Sequence, residues 1–374
     1  MERPLRVAVD ATSLYDVRTG VGRFTAALLQ EVAPLDELEV TAFAVTWRGH
    51  GELETMVPAG VAAAPRRMAA APMRSLWRRF GHPRIEHWVG PIDVVHGPNY
   101  VVPPARAARV VTVHDLTFLH FPQFCTREVL QYPGLLRRAI DTGAWIHTDS
   151  DFVRDEVIEL LGADAARVVS VPLGITLPAD REATRGRQIA GGDEYVLALG
   201  TVEPRKNLPV LVEAFDAVAA QRPELRLVVA GPDGWGVPAF RDAVARATHR
   251  DRIVRLGFVS EADRGHLLAG AGVVAVPSHY EGFGLTAVEA MLAGAPVVAS
   301  AAGSHREVVG NGGLLVPPGD RDALSDALLA VLGDSVLAES LRQRGRVQAQ
   351  RYSWRAMGAG IEALWRRAAS ADGG

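Results

Sequence analysis

The sequence has 374 residues, 48% hydrophobic and 22% charged, which is long for one core, comfortable for two domains and ordinary for a globular protein. Its formal net charge of -3 gives no long-range attraction to nucleic acid, and its single cysteine, Cys125, excludes a disulfide framework and a four-cysteine metal site. No signal peptide is visible and no segment is long enough to span a bilayer, so the sequence predicts a cytoplasmic protein.

The first predicted elements are a strand, a loop with two glycines and a helix. Residues 5–10 form a short apolar run, and apolar residues recur at helical spacing over residues 24–32. The loop over residues 18–23 contains Gly20 and Gly22, and glycines ahead of a helix allow a phosphate or a sugar to approach the backbone. The pattern is not GxGxxG, and from these residues alone a plain tight turn is the better explanation.

A second strand, residues 39–45, is followed by irregular sequence and then by a basic amphipathic helix over Met73–Phe80. Three arginines lie beside four apolar residues at spacing i, i+3, i+4 and i+7: Met73, Leu76, Trp77 and Phe80. Such a helix suits an anionic membrane surface, which is favoured if the substrate is lipid-linked. Otherwise an ordinary surface helix docked on its own domain is the simpler explanation.

Two further strands end at histidines. Residues 93–97 and 109–113 are apolar runs without alternation, typical of buried parallel strands, and they end near His96 and His114. An imidazole at a strand end is a suitable partner for sugar hydroxyls. A lone histidine is more often structural, but two at neighbouring strand ends are harder to attribute to packing alone. No third ligand accompanies them, so no metal site is predicted.

The first domain is predicted to be residues 1–175. Its last elements are strand 144–148, the N-cap Ser150, helix 151–161 and strand 168–171. Residues 176–192, rich in proline, glycine, arginine and aspartate, are predicted to form a linker.

The second domain, residues 193–351, restarts the alternation of strands and helices. Its first strand, residues 195–199, ends in a loop with Arg205 and Lys206 before a helix that begins near Leu208. Most surface cations are merely solvated. A guanidinium fork, a mobile ammonium and the free N–H groups of a helix start are nevertheless what a diphosphate needs.

The densest motif follows a buried strand over residues 273–276. Glu281 precedes a predicted helix and Glu289 lies about one turn inside it, with Gly282 and Gly284 at the junction. In α/β sheets ligands bind at the carboxyl ends of strands, and glycines there admit a ligand to the main chain. Either glutamate alone could be only a favourable charge on the helix dipole, worth about 0.3–1 kcal/mol.

The remaining elements complete a second alternating sheet. They are strands 225–230, 253–256, 296–300 and 313–316 and helices 320–332 and 335–350. Strands alternating with helices throughout predict an α/β chain with two doubly wound sheets.

The segment SHYEGFGLTAVEAMLAGAPVVAS, followed by GSHREVVGNGGLLVPPGD, resembles the donor-binding signature of the retaining glycosyltransferase family GT4. The match continues upstream through VLALGTVEPRKNL and LVVAGPDGWG and covers about half of the chain densely. The resemblance implies the GT-B fold, with two Rossmann-like domains facing a central cleft. It also implies that a C-terminal helix, residues 352–370, crosses back and completes the first domain. The N-terminal domain would bind the acceptor and the C-terminal domain the nucleotide-sugar donor.

The resemblance also implies site residues. Arg205 and Lys206 would neutralise the donor diphosphate, helped by Gly22 and by the helix beginning near Leu285. The catalytic set would be His114, Glu281, Arg205 and Lys206. Contacts to the nucleobase, the ribose and the sugar are expected from Phe258 and Val259, from Glu289, and from Glu281 with Phe283, Gly284 and Leu285. His114 would contact the sugar near its reacting face.

The expected activity is retaining, metal-independent and cofactor-free transfer of a hexose from a nucleoside diphosphate sugar to a hydroxyl of a glycan, glycolipid or natural product. Because EPRKNL and HDLTFLHFPQF resemble segments of mannosyl- and rhamnosyltransferases of polysaccharide biosynthesis, GDP-mannose is the first choice of donor. Thr286, and His305 with Arg306, depart from the family pattern and leave the sugar open. Alternatives are a sugar-nucleotide epimerase, a phosphorylase or a non-catalytic sugar-nucleotide-binding partner. Location would be cytoplasmic, with peripheral contact to the inner membrane surface as a variant.

Overall fold

The computed structural model describes residues 3–16, 20–47, 50–64, 66–127 and 129–372. Two compact units are present: one runs up to Gly174 and resumes at Tyr352, and the other is Ile175–Arg351. Arg18 and Thr19 of the predicted glycine loop lie outside the described residues. No described helix is long and apolar enough to cross a lipid bilayer.

The first unit is built on a seven-stranded parallel sheet with strand order β3-β2-β1-β4-β5-β6-β7. The strands are β1 (Leu5–Asp10), β2 (Leu38–Phe43), β3 (Val61–Ala63), β4 (Val94–Gly97), β5 (Ala108–Val113), β6 (Trp145–Thr148) and β7 (Val168–Ser170). The central strands are buried on both faces, as their unbroken apolar runs predict. The three-residue edge strand β3 was not predicted, because so short a segment shows no periodicity.

Helices flank this sheet. They are α1 (Gly20–Val32), α2 (Leu53–Met56), α3 (Ala70–Phe80), α4 (Glu86–Val89), α5 (Thr117–His120), α6 (Tyr132–Asp141) and α7 (Asp151–Leu161). Ser150 caps α7 as predicted, since its side chain accepts a hydrogen bond from the Val153 N–H.

Helix α1 begins earlier than predicted. Gly22 is its third residue and is buried, whereas the sequence placed this glycine in a loop ahead of the helix. A glycine costs little in a first turn, because the N–H groups there have no partner within the helix. Any ligand contact of Gly22 would therefore come from a helix start and not from a flexible loop.

The predicted apolar face of α3 is divided. Met73 and Trp77 are buried in the first unit, while Leu76 is 39% and Phe80 is 64% exposed. The Trp77 indole N–H also donates to the Pro83 carbonyl. Half of the predicted stripe therefore docks this helix on its own unit, and half stays accessible.

The second unit is built on a six-stranded parallel sheet with order β10-β9-β8-β11-β12-β13. The strands are β8 (Tyr195–Leu199), β9 (Arg226–Ala230), β10 (Ile253–Gly257), β11 (Val273–Val276), β12 (Val297–Ser300) and β13 (Leu314–Val316). The helices are α8 (Ala183–Ala190), α9 (Leu208–Ala219), α10 (Val237–Arg246), α11 (Glu261–Gly270), α12 (Leu285–Ala293), α13 (His305–Val308), α14 (Arg321–Gly333) and α15 (Ser335–Ala349). Both sheets confirm the predicted α/β class.

The segment predicted as a linker, residues 176–192, belongs to the second unit and contains α8. This helix lies close against α11. A Cβ at Gly186 would stand 2.1 Å from the His266 carbonyl oxygen, and the Glu182 N–H donates to the His266 ring at 2.9 Å. The proline- and arginine-rich composition around α8 concealed it from the sequence.

The last helix, α16 (Trp354–Asp372), belongs to the first unit. Gly360 lies against Val171, and Trp365 is fully buried. The indole N–H of Trp365 donates to His96.

Candidate functional site

The order of the second sheet fixes where a site forms. Strand β8 lies between β9 and β11, so the chain leaves β8 in one direction and β11 in the other. At such a switch point the loops beyond the carboxyl ends of the two strands diverge and leave a crevice. The loop after β8 carries Arg205 and Lys206, and the loop after β11 carries Glu281.

These three side chains meet. The Arg205 Nη1 lies 2.7 Å from Oε2 of Glu281, and the Lys206 Nζ lies 2.6 Å from Oε1. The Ser278 hydroxyl donates to the same Oε1 at 2.7 Å. The carboxylate of Glu281 is buried, and it thus has three donors from two neighbouring strand ends.

Arg205 is held further. Its Nη2 contacts the Glu203 carboxylate at 2.7 Å, and its Nη1 donates to the Tyr280 carbonyl at 2.8 Å. We call Glu203, Arg205, Lys206 and Glu281 the Glu281 cluster. It contains two cations and two carboxylates, so the predicted cation site is balanced in charge in this structure. Lys206 makes fewer of these contacts than Arg205.

The cluster holds Glu281 ionised. Burial opposes ionisation, but the charges of Arg205 and Lys206 outweigh it and hold the pKa of Glu281 well below its ordinary value. A carboxyl group with a lowered pKa contributes stability above its unfolded pKa of about 4.3 and loses it as pH falls towards the folded value. Glu281 is therefore an acceptor, and not an acid, at neutral pH.

Helix α12 begins beside this cluster. Gly284 is its N-cap with a φ of +90°, and a Cβ there would stand 2.8 Å from the imidazole of His305. Because the first N–H groups of a helix lack partners within it, they can serve as donors to a ligand. Glycine is required here both by its positive φ and by the nearby ring.

Replacing Gly284 by alanine should therefore destabilise the fold. We expect Gly284→Ala to lower the free energy of unfolding by about 2 kcal/mol, since a non-glycine residue in a strained backbone region costs roughly 1–3 kcal/mol. Urea denaturation would measure this change. Gly333→Ala is the control, because nothing lies within 4 Å of a Cβ at that position. An equal effect of both substitutions would contradict the prediction.

His305 was noted in the sequence only as a departure from the family pattern. It is fully buried, and its Nδ1 lies 2.8 Å from the Ser300 carbonyl oxygen, so Nδ1 carries a proton. Its Nε2 has no hydrogen-bond partner among the described residues. Burial lowers the pKa of His305 despite the attraction of Glu281. A neutral imidazole with an acceptor nitrogen thus lies against Gly284.

Glu289 lies on α12 as predicted, but it is not a free carboxylate. Its Oε1 forms an ion pair with Nη1 of Arg264, whose Nη2 contacts Glu261 at 2.6 Å. Arg264 was missed, since nothing in the sequence places α11 beside α12. A ribose contact by Glu289 would have to share this carboxylate with Arg264.

Two predicted nucleobase contacts follow β10. Phe258 is 58% exposed and Val259 is half-buried, directly beyond the end of the strand. Phe283 is buried beside the start of α12. Phe258 and Val259 thus lie at the carboxyl end of a strand, where ligands bind in α/β sheets.

The first unit holds the other two predicted residues, Gly22 and His114. His114 follows β5, and its side chain is 13% exposed. Its Nδ1 lies 2.7 Å from Oδ2 of Asp149 and its Nε2 lies 2.8 Å from the Pro98 carbonyl oxygen. Asp149 was missed because it is one of many aspartates and only the pairing of β5 with β6 brings it to His114.

His96 is not a strand-end ligand. It is fully buried in β4, and its Nε2 lies 2.8 Å from the Thr112 hydroxyl oxygen while Trp365 covers its other nitrogen. The sequence suggested a possible role in binding, and the structure corrects this to a core histidine. Its apolar surroundings lower its pKa well below the ordinary value.

Family models cover both units. The model for glycosyl transferases group 1 matches residues 180–348, and that for glycosyltransferase family 4 matches residues 18–177. The second unit, with the Glu281 cluster, corresponds to the first of these models.

Proteins of similar sequence and structure are also glycosyltransferases by name or share this fold. The chain is 34% identical over 287 residues to O-antigen chain mannosyltransferase B of Escherichia coli, covering 74% of this chain and 75% of that protein. It is 32% identical over 284 residues to a phosphatidyl-myo-inositol mannosyltransferase of Mycobacterium leprae, covering 73% of each. A crystal structure of HepE from Anabaena with UDP and glucose has a TM-score of 0.71 at 19% identity, covering 97% of this chain and 99% of that one. The chain therefore belongs to glycosyltransferase family 4, and its fold is GT-B.

Proposed function

We propose that this glycosyltransferase moves mannose from GDP-mannose to a hydroxyl of a glycan or glycolipid, with retention of anomeric configuration and without a metal. The observation that carries the proposal is the Glu281 cluster at the switch point of the second sheet, beside the start of α12. A buried carboxylate, two cations and the start of a helix converge there.

The diphosphate is assigned to Lys206 and the first turn of α12. An ammonium has three donors, and the contact with Glu281 uses one of them. Arg205 already contacts Glu203, Glu281 and a carbonyl, so its role is to fix Glu281 and to add positive potential. As the sugar–phosphate bond breaks, negative charge grows on the diphosphate, and fixed donors stabilise it best at that moment.

The sugar and the nucleoside are assigned to the surrounding residues. Glu281 accepts hydrogen bonds from hydroxyls of the sugar, and the backbone of residues 283–285 also contacts the sugar. Glu289 accepts hydrogen bonds from ribose hydroxyls and shares its carboxylate with Arg264. The backbone at Phe258 and Val259 contacts the base. Gly22 and His114 of the first unit are proposed to contact the substrates as the family resemblance implies.

Retention follows from a same-face substitution. The bond from the anomeric carbon to the diphosphate oxygen breaks, and the acceptor oxygen bonds to the same face of that carbon. The acceptor proton passes to an oxygen of the departing phosphate. Such a step needs charge stabilisation more than an acid–base pair, which suits the Glu281 cluster. The remaining donors of Lys206 and the N–H groups that begin α12 are proposed to stabilise the departing diphosphate in place of a divalent metal.

Mannose is proposed because two relatives carry that sugar in their names. The Escherichia coli and Mycobacterium leprae proteins are both called mannosyltransferases, one for an O-antigen chain and the other for phosphatidyl-myo-inositol. These names also favour a lipid-linked or polysaccharide acceptor. Peripheral contact with the cytoplasmic face of a membrane is then proposed through the exposed Leu76 and Phe80 and the neighbouring arginines of α3.

A donor panel tests the proposal. Thermal unfolding is measured with GDP-, UDP-, TDP- and ADP-sugars in EDTA, and nucleoside diphosphate release is followed with each donor. We expect GDP-mannose to raise the melting temperature most and to be turned over without metal. Product NMR should show the α configuration of the donor. Donor binding without release of nucleoside diphosphate, whatever acceptor is added, would favour the binding-partner alternative. Formation of a sugar nucleotide inverted at C2 would favour an epimerase.

A further inference from the structure

Three histidines lie on or directly after adjacent strands of the first unit, and a directed series of hydrogen bonds fixes the protonation of two of them. The Trp365 indole N–H can only donate, so Nδ1 of His96 accepts its hydrogen bond. The proton of the His96 ring is therefore on Nε2, which donates to the Thr112 hydroxyl. That hydroxyl then donates to Nδ1 of His147 at 3.0 Å. The Nε2–H of His147 in turn donates to the Val171 carbonyl at 2.9 Å. Both histidines are therefore neutral.

His114 differs from both. Its two ring nitrogens face a carboxylate oxygen of Asp149, at 2.7 Å, and the Pro98 carbonyl oxygen, at 2.8 Å. Carbonyl and carboxylate oxygens only accept, and a neutral imidazole has one N–H. Both contacts are satisfied at once when the ring carries two protons.

We propose that Asp149 is a positioning residue that keeps His114 as an imidazolium, so that His114 serves the reaction by its positive charge and not as a general base. A doubly protonated ring has no lone pair with which to take the acceptor proton. The bond to Asp149 also fixes the orientation of the ring.

The other groups around His114 are consistent with this charge. Phe24 of α1 meets the ring edge-on at 5.4 Å, and Tyr100 does so at 5.9 Å. Burial opposes protonation, while Asp149 and more weakly Asp115 favour it, and together they raise the pKa of His114. His96 and His147, the other titratable groups nearby, have lowered pKa values because they are buried. They therefore add no competing positive charge at neutral pH.

The competing arrangement is a neutral pair, in which Asp149 keeps the proton and donates it to Nδ1. The ordinary pKa of a carboxyl lies about 2.6 units below that of imidazole, which favours the ion pair. The second oxygen of Asp149 has no hydrogen-bond partner among the described residues and lies 4.0 Å from Nε2 of His147. Removing the negative charge should lower the pKa of His114, because the Asp149 carboxylate contacts the ring and favours its protonation.

NMR of isotope-labelled histidine decides the charge directly and needs no substrate. His114 is assigned among the 11 histidines by its loss in His114→Gln. The titration covers about pH 6 to pH 9 and so includes the ordinary histidine pKa of about 6.5. At neutral pH both ring nitrogens of His114 should be protonated. Deprotonation should occur above that ordinary pKa. A ring with one protonated nitrogen at pH 7 overturns the proposal.

The pH profile of turnover tests the functional part, which rests on the proposed glycosyl transfer. Wild-type kcat/KM should decline as pH rises through the His114 pKa. In Asp149→Asn the decline of kcat/KM should begin at least one pH unit lower than in the wild type. At alkaline pH the variant should therefore lose about tenfold in kcat/KM, and lowering the pH should restore it. Asp151→Asn, two residues away in an exposed position, is the control and should keep the wild-type profile. A kcat/KM that rises with pH would show a general base.

The two proposals fail in different ways. If no donor is turned over, the proposed function fails, while the NMR titration still decides the charge of His114. If Asp149→Asn does not fold, the wild-type titration and wild-type pH profile remain decisive.

Discussion

Glu281→Gln is expected to weaken the fold, to abolish most turnover and yet to tighten the binding of free nucleoside diphosphate. Removing one partner of a buried ion pair costs about 3 kcal/mol, because the charges of Arg205 and Lys206 lose their compensation. The Glu281 cluster changes from balanced to a net positive charge. An anion should therefore bind about fivefold tighter, which corresponds to about 1 kcal/mol of added attraction.

Turnover should respond in the opposite direction. If Glu281 accepts sugar hydroxyls, its loss removes charge-assisted hydrogen bonds worth roughly 1.5–3 kcal/mol and lowers kcat/KM about 10- to 100-fold. Urea unfolding with and without nucleoside diphosphate, calorimetric binding and donor turnover would measure the three effects. Weaker binding of the diphosphate in the folded variant would contradict the assignment of the cations to that group.

Lys206→Ala and Arg205→Ala should separate binding from stability. Lys206 has one contact within the Glu281 cluster and spare donors, so its loss should weaken donor binding about 10- to 100-fold with little loss of stability. Arg205 holds two carboxylates and a carbonyl, so its loss leaves buried acceptors unpaired. We expect that variant to lose about 3 kcal/mol of stability as well as donor affinity.

The control for both variants is Arg222→Ala. Arg222 is paired with Glu194, which precedes β8 and lies at the opposite end of that strand from Arg205. Denaturation and donor titration of the three variants would be compared. A loss of donor affinity in Arg222→Ala equal to that in Lys206→Ala would mean that the effect is not local to the Glu281 cluster.

The sequence predicted the strands of the second unit well, because parallel strands are short unbroken apolar runs between turn residues. Strands β1, β8 and β11 have the predicted bounds. The sequence also indicated that Lys206 and Glu281 lie near each other, since each follows a strand and the carboxyl ends of parallel strands share one edge of the sheet. Strand β3, which is too short to show a periodicity, and helix α8, which lies in a proline- and arginine-rich segment, were not predicted.

What the sequence could not supply is the pairing of side chains distant along the chain. Arg264 reaches Glu289 only because α11 packs beside α12, and Asp149 reaches His114 only because β6 pairs with β5. These pairings change the chemistry. They make Glu289 a shared carboxylate and His114 a charged ring, where the sequence suggested two free ligands.

The most direct measurement is a crystal structure of the protein with the donor that stabilises it most. We expect the diphosphate to lie within hydrogen-bond distance of the Lys206 Nζ and of the N–H groups that begin α12, with a sugar hydroxyl on Glu281. A nucleotide bound elsewhere, with the Lys206–Glu281 contact unchanged and remote from it, would contradict the account.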